Sequence, residues 1–341
     1  MLIIIATSRA YDYSVTSILT GWDSHWYLDI ARTGYASRIP PGLGNTAQTD
    51  LGFFPLLPLI IRVVHLCSPL SWTASGILAA FLIGFAAAIA LWWLLCDLAG
   101  VDGADRGTAL VMLSPGAFVL SFVYTEGLVI CFVALCLLAL RHRRWVLAGL
   151  CAAVVTSADP VAAAIIIPCV VASYDAITES RDWRSLWAPA IAPIGIVSFF
   201  AYLWAHTGSP FEWFHAQRVG WQNGYYFTGV PKAFAGLFGH GFSNLNPPVK
   251  VASFALAIYL VVIFVRWKPP RTWIAYVFAV LGFGVISPII GITPRLLLRD
   301  APLIGFIGAK MPRRIYRWVL ASSVMLMTVL TVIAGTQRFT P

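Results

Sequence analysis

Apolar residues fall in long runs along this chain, several of them near the ~20 residues that cross a hydrocarbon core of about 30 Å. Runs at about 75–97, 107–123, 126–140, 145–157, 161–176, 187–206, 251–266, 272–291, 296–309 and 316–335 predict membrane helices. Prolines such as Pro115, Pro168, Pro189, Pro193, Pro288 and Pro302 lie among them, which membrane helices tolerate when neighbours satisfy the freed backbone groups. The run "GFFPLLPLIIRVVHL" (52–66) carries Pro55, Pro58, Arg62 and His65 and reads as re-entrant or surface-lying. The opening "MLIIIATSRAYDYS" has no basic n-region and no small-residue cleavage site, so it reads as the tail of a spanning helix whose beginning is missing. The pattern predicts an all-α fold: a polytopic integral membrane helical bundle of about 10–11 spans. It forms a single transmembrane domain over 1–341, with a first outer loop at 21–74 and a long outer loop at 207–250.

Composition agrees. The chain is 59% hydrophobic and 11% charged, with mean hydropathy +0.81, whereas a soluble domain carries about 25% charged residues. Its formal net charge of +9 does not mark a nucleic-acid partner, because the basic residues sit in short loops between apolar runs. Arg141, Arg143 and Arg144, then Arg181 and Arg184, then Arg266, Lys268 and Arg271, then Lys310, Arg313, Arg314 and Arg317 make up 12 of the 23 Lys and Arg. With the spans above, these four loops share one side, cytoplasmic by the positive-inside rule. The unusual polar residues then gather on the outer face. Six cysteines, Cys67, Cys96, Cys131, Cys136, Cys151 and Cys169, lie in or beside apolar runs without C-x-x-C spacing and read as small hydrophobes rather than a disulfide framework or metal site. No Gly-rich phosphate loop, H-E-x-x-H or G-x-S-x-G is found.

The chemistry-bearing stretch is "WDSHWYLDIARTGY" (22–35). On a helix, Asp23 shares an arc with Trp26, Tyr27 and Ile30, while His25, Asp29 and Arg32 lie opposite. Asp23 is either a helix N-cap after Thr20-Gly21 or an acid with a task against an apolar face. Asp29 reads as a solvated acid paired with His25 at i,i+4. The opposed faces argue against a glycosidase pair of carboxylates. Glu126 sits where a carboxylate suits a helix dipole, and Asp159 precedes Pro160 as a turn or cap residue would. Arg295, with Arg299 one turn on, is either a snorkelling cation or a phosphate clamp. The segment "GSPFEWFHAQRVGWQ" (208–222) is an interfacial helix or a lid in which His215 or Arg218 meets a phosphate.

Taken together, "WDSHWYLDIARTGY", "GFFPLLPLI" and "LSPGAFVLSFVYTEGL" (113–128) resemble the PIG-V family of mannosyltransferases and its bacterial relatives, within the GT-C superfamily. The family's Trp-Asp run falls on Trp22, Asp23, Tyr27, Ile30, Ala31, Gly34 and Tyr35, its Phe-Phe-Pro run on Phe53, Phe54 and Pro55, and its third run on Pro115, Tyr124, Thr125 and Glu126. "TPRLLLRDAPL" (293–303) is similar to the family's outer-facing arginine before a Pro-Leu run. The resemblance implies an inverting transfer of mannose from a polyprenyl-phosphate-linked donor to a lipid-linked or glycolipid acceptor at the outer face of the plasma (inner) membrane. No cofactor and no metal is implied, with Asp23 as general base. Trp22, Tyr27, Glu126, Asp159, His215, Arg218 and Arg295 are the candidate substrate-binding residues. One departure stands out: where the family has Thr-Arg-x-x-Gly, this chain has "TSADPVA" (156–162), and Asp159 in place of a base is expected to oppose a donor phosphate. A transporter or flippase of a lipid-linked substrate is the rival class, which calls for mid-bilayer charges and inverted repeats; no repeat is evident. A non-catalytic subunit with the same fold is a third.

Overall fold

The computed structural model describes residues 2–222, 229–239, 245–287 and 291–336. It is all-helical: α1 Leu2–Tyr11, α2 Val15–Leu19, α3 Ser24–Thr33, α4 Leu56–Leu66, α5 Trp72–Met112, α6 Glu126–Arg141, α7 Trp145–Thr156, α8 Ile166–Ser180, α9 Trp187–Ile191, α10 Ile194–Thr207, α11 Glu212–Gly220, α12 Gly229–Gly239, α13 Asn246–Arg266, α14 Arg271–Ile286, α15 Pro294–Arg299, α16 Ala301–Lys310 and α17 Arg313–Gly335. No strand occurs among the described residues.

Among the described residues, five segments are long and apolar enough to cross a membrane: Trp72–Met112, Val161–Ser180, Trp183–Thr207, Asn246–Arg266 and Arg313–Gly335. A sixth arises if Pro115–Ser121 and Glu126–Arg141, bent by 108°, count as one broken span. The difference from the ten or so expected lies in short helices. At 1.5 Å per residue, α7 and α16 are too short to cross alone, and the predicted run 296–309 breaks at Asp300, which separates α15 from α16. Positions 288–290, the end of the predicted 272–291 run, lie outside the described residues, as do 223–228 and 240–244 of the expected long outer loop.

The run 52–66 becomes α4, eleven residues long, and does not span. Leu59, Val63 and Leu66 face outward while Leu57, Pro58 and Ile61 are buried, the two-faced pattern of a surface-lying helix. Arg62 Nε donates to the Ala31 carbonyl at 2.8 Å, fixing α4 to α3.

Helix α5 reverses on itself. Gly100 has φ 68° and ψ 178°, a region open in practice to glycine alone. Trp92 Nε1 on the first arm donates to Asp105 Oδ1 on the second at 2.8 Å, and Leu95 packs against Gly107. Gly107 also meets the Gly305 backbone and Gly308 of α16, the small-residue contact that lets membrane helices approach closely. Helix α16 is buried from Ala301 through Ala309.

The basic loops meet at one end, as expected. Arg141 and His142 pair with Asp97 at 2.6 and 3.0 Å, Arg143 donates to Ser180 at 3.0 Å, Arg271 pairs with Asp175 at 2.6 Å and Arg313 with Asp102 at 2.8 Å. The 22–35 segment and the starts of α6 and α15 lie at the other end of helices that finish in those loops. Replacing Gly100 by valine is expected to cost about 1–3 kcal/mol. The check is a lower thermal midpoint of the detergent-purified protein, with Gly282→Ala inside α14, whose new methyl meets nothing within 4 Å, leaving the midpoint no lower.

Candidate active site

Three separate stretches converge at the end opposite the basic loops. The first begins with Trp22, held in the left-handed region at φ 57°, its indole Nε1 donating to the Ala334 carbonyl of α17 at 3.3 Å. Asp23 follows with helical φ −65° and ψ −17° and makes no side-chain cap bond, so the capping role is not the one it plays. Its backbone N–H donates to the Tyr124 hydroxyl at 3.2 Å, and its carboxylate accepts from Arg295 Nη1 at 2.9 Å.

The second stretch is the sharp bend before α6, which turns Tyr124, Thr125 and Glu126 inward; all three are buried. The third is α15. Thr293 Oγ1 accepts from Leu296 N at 3.2 Å, Pro294 occupies the first turn, where its missing N–H costs nothing, and Arg295 and Arg299 follow on one face at i,i+4. Gly116 lets this helix start sit close: a Cβ there would lie 2.0 Å from the Pro294 carbonyl oxygen.

The result is a buried network. Arg295 Nε binds Glu126, and its guanidinium lies over the Tyr124 ring, 4.4 Å from the centroid. Arg299 forks onto Asp159, with Nη1 to Oδ1 at 3.0 Å and Nη2 to Oδ2 at 2.7 Å, and also reaches Glu126 at 2.7 Å. Asp159 further accepts from Thr125 Oγ1 at 3.2 Å and Val161 N at 2.8 Å. Side-chain exposure rises from 0% at Glu126 through 6% at Asp159 and Arg299 and 16% at Arg295 to 32% at Asp23. The network therefore opens toward Asp23. Glu126 Oε2 and Arg299 Nε have no partner among the described residues.

These contacts sort the sequence candidates. Asp23, Glu126, Asp159 and Arg295 come together. Glu126 is a network ligand rather than only a dipole partner. Asp159 does not stand as an uncompensated acid opposing a phosphate, because Arg299 neutralises it. Arg299 itself was not among the candidate site residues; its signal was the i,i+4 spacing from Arg295 together with an acid at 159 that needed a cation. Tyr27 is buried edge-to-face on Phe53 at 5.2 Å; burial, and then the Asp23 charge, push its phenol above the usual range, so it stays neutral. Trp22 acts as a tie to α17.

His215 and Arg218 are exposed on α11. The other face of that helix docks on the Gly52 carbonyl through Trp213 Nε1 at 3.0 Å and Gln217 Nε2 at 3.1 Å, so neither expected phosphate ligand touches the network. His25 lies against the Trp22 carbonyl instead of forming the expected pair with Asp29.

No protein-family model matches the chain, and no curated protein matches it. Its fold is similar to that of ArnT from Cupriavidus metallidurans. Against the crystal structure of ArnT bound to undecaprenyl phosphate the TM-score is 0.57, with 14% identity over 98% of this chain and 75% of that one. Against the apo crystal structure the TM-score is 0.59, with 15% identity over 94% of this chain and 62% of that one. The likeness is one of fold.

Replacing Arg299 by leucine leaves buried Asp159 without a cation and Glu126 with Arg295 alone, a loss expected to cost about 3–5 kcal/mol. Thermal unfolding in detergent should show it as a large drop in midpoint. Combining the change with Asp159→Leu should recover part of the loss, because the two side chains act as a unit.

Proposed function

We propose that the chain is a membrane glycosyltransferase that moves a sugar from a polyprenyl-phosphate-linked donor to a lipid-anchored acceptor, with Asp23 as general base and Arg295 as the donor's phosphate clamp. The observation that carries this reading is the position of Asp23: a carboxylate free of capping duty, at the open edge of a buried acid–arginine network and 2.9 Å from Arg295. The fold shared with ArnT, whose crystal structure is bound to undecaprenyl phosphate, supports a lipid phosphate as the donor's carrier. Mannose as the sugar rests on the PIG-V-like motifs, and the outer face of the plasma membrane on the basic loops at the opposite end.

In this reading the acceptor hydroxyl gives its proton to Asp23 as its oxygen bonds to the anomeric carbon. The bond from that carbon to the phosphate oxygen breaks, and its electron pair leaves with the lipid phosphate. A sugar hydroxyl is a weak nucleophile, and a positioned carboxylate contributes roughly 10²–10⁴-fold. The leaving phosphate gains negative charge, which a guanidinium held in a water-poor site stabilises without reorganising. Glu126 keeps Arg295 in orientation, and Tyr124 supports it from below through its ring face. The driving force for transfer comes from the donor's glycosyl phosphodiester, so no nucleotide sugar enters the proposal.

The test is complementation of a deletion strain with empty vector, wild type or Asp23→Asn, each checked for expression, with lipid-linked glycans read by mass spectrometry. The expected outcome is a mannosylated product that vanishes on deletion and returns only with wild type, Asp23→Asn losing about 10²–10⁴-fold in rate. Full restoration by Asp23→Asn would remove the base and move the transporter reading ahead.

A further inference from the structure

Asp23 and Arg295 are assigned two different ligands by the proposed chemistry, an acceptor hydroxyl and a donor phosphate, yet in the structure each occupies the other at 2.9 Å. The network holds three carboxylates, Asp23, Glu126 and Asp159, against two guanidiniums, Arg295 and Arg299, one negative charge in excess. An entering phosphate meets a repelling field unless one carboxylate withdraws. Asp23 is the one built to do so. Its side chain is 32% exposed, against 0% for Glu126 and 6% for Asp159. Asp159 is tied by Arg299, Thr125 and Val161 together, and Glu126 by both arginines, whereas the Asp23 carboxylate has one partner among the described residues. Its backbone is anchored separately through the Tyr124 hydroxyl, so the side chain can rotate without moving the helix start.

We propose that the donor phosphate and the Asp23 carboxylate exchange on Arg295, so that the base is released only when the donor is seated. This deepens the transferase reading and rests on it: substrates add in a fixed order, donor first and acceptor second. No covalent bond changes in the exchange; one anion replaces another on the same guanidinium, and the net charge is conserved when a singly charged phosphodiester enters as the carboxylate swings out. Arg295 keeps its bond to Glu126 throughout.

Binding of undecaprenyl phosphate to the full-length protein in detergent, followed by intrinsic tryptophan fluorescence, tests the exchange without reference to turnover. Wild type is compared with Asp23→Asn and, as a second neutral replacement should the first fail to fold, Asp23→Ser, each required to keep a single thermal transition. Removing the competing anion from a partly exposed pair is expected to tighten binding about fivefold, with Arg295→Ala abolishing the gain in an Asp23→Asn background. Unchanged or weaker binding in the neutral variants would overturn the exchange even if sugar transfer is established. Tighter binding in the neutral variants together with no transfer by wild type in the complementation test would keep the anion exchange on Arg295 and sink the transferase reading.

Discussion

The fork of Arg299 onto Asp159, with its third contact to Glu126, is the interaction on which the rest of the site depends. Buried ion pairs repay their desolvation only when geometry and additional hydrogen bonds are good, and here three chain segments supply them. Asp159 fixes the turn before α8, Glu126 fixes the start of α6, and Arg299 fixes the short helix that carries Arg295. The outer pair, Asp23 and Arg295, is thus mounted on a frame whose own charges are already settled. A frame of this kind explains how one end of a largely apolar bundle keeps charged groups in place with few surrounding polar side chains.

That frame in turn relies on close backbone approach elsewhere. Gly116 admits the Pro294 carbonyl, and Gly107 admits Gly305, so α15 and α16 meet their neighbours backbone to backbone at these points. Packing of small residues takes over the role that hydrophobic burial plays in water, since lipid tails are as apolar as the helices they surround. The polar network supplies position and the glycines supply distance.

Much of this was legible in the residues. Apolar runs marked the helices, the Arg clusters marked one end, and the mixture of prolines with Arg62 and His65 marked 52–66 as a segment that does not cross. Asp23, Glu126 and Arg295 were legible as chemistry because each is an ionisable residue where the surrounding sequence is apolar or aromatic. Periodicity could not show that Asp23 stands one residue before its helix with its side chain directed at a residue 272 positions away. Nor could it show that Asp159 and Arg299, 140 positions apart, cancel one another. For His215 and Arg218 the sequence showed an amphipathic helix but not which of its faces docks, and the docked face proved to be the one bearing Trp213 and Gln217.

Order along the chain gives the Trp22 tie a further meaning. Trp22 waits for a carbonyl at residue 334, and the acids at 23, 126 and 159 wait for cations at 295 and 299. Synthesis proceeds from the N-terminus, so for most of the time the chain is being made these three carboxylates are present without their counter-charges. The segments that carry them are in place before those cations exist, and the pairs close only when α15 arrives. Compensation of these charges therefore comes late in the chain: with synthesis halted before residue 295, the acids at 23, 126 and 159 stand without the guanidiniums they pair with.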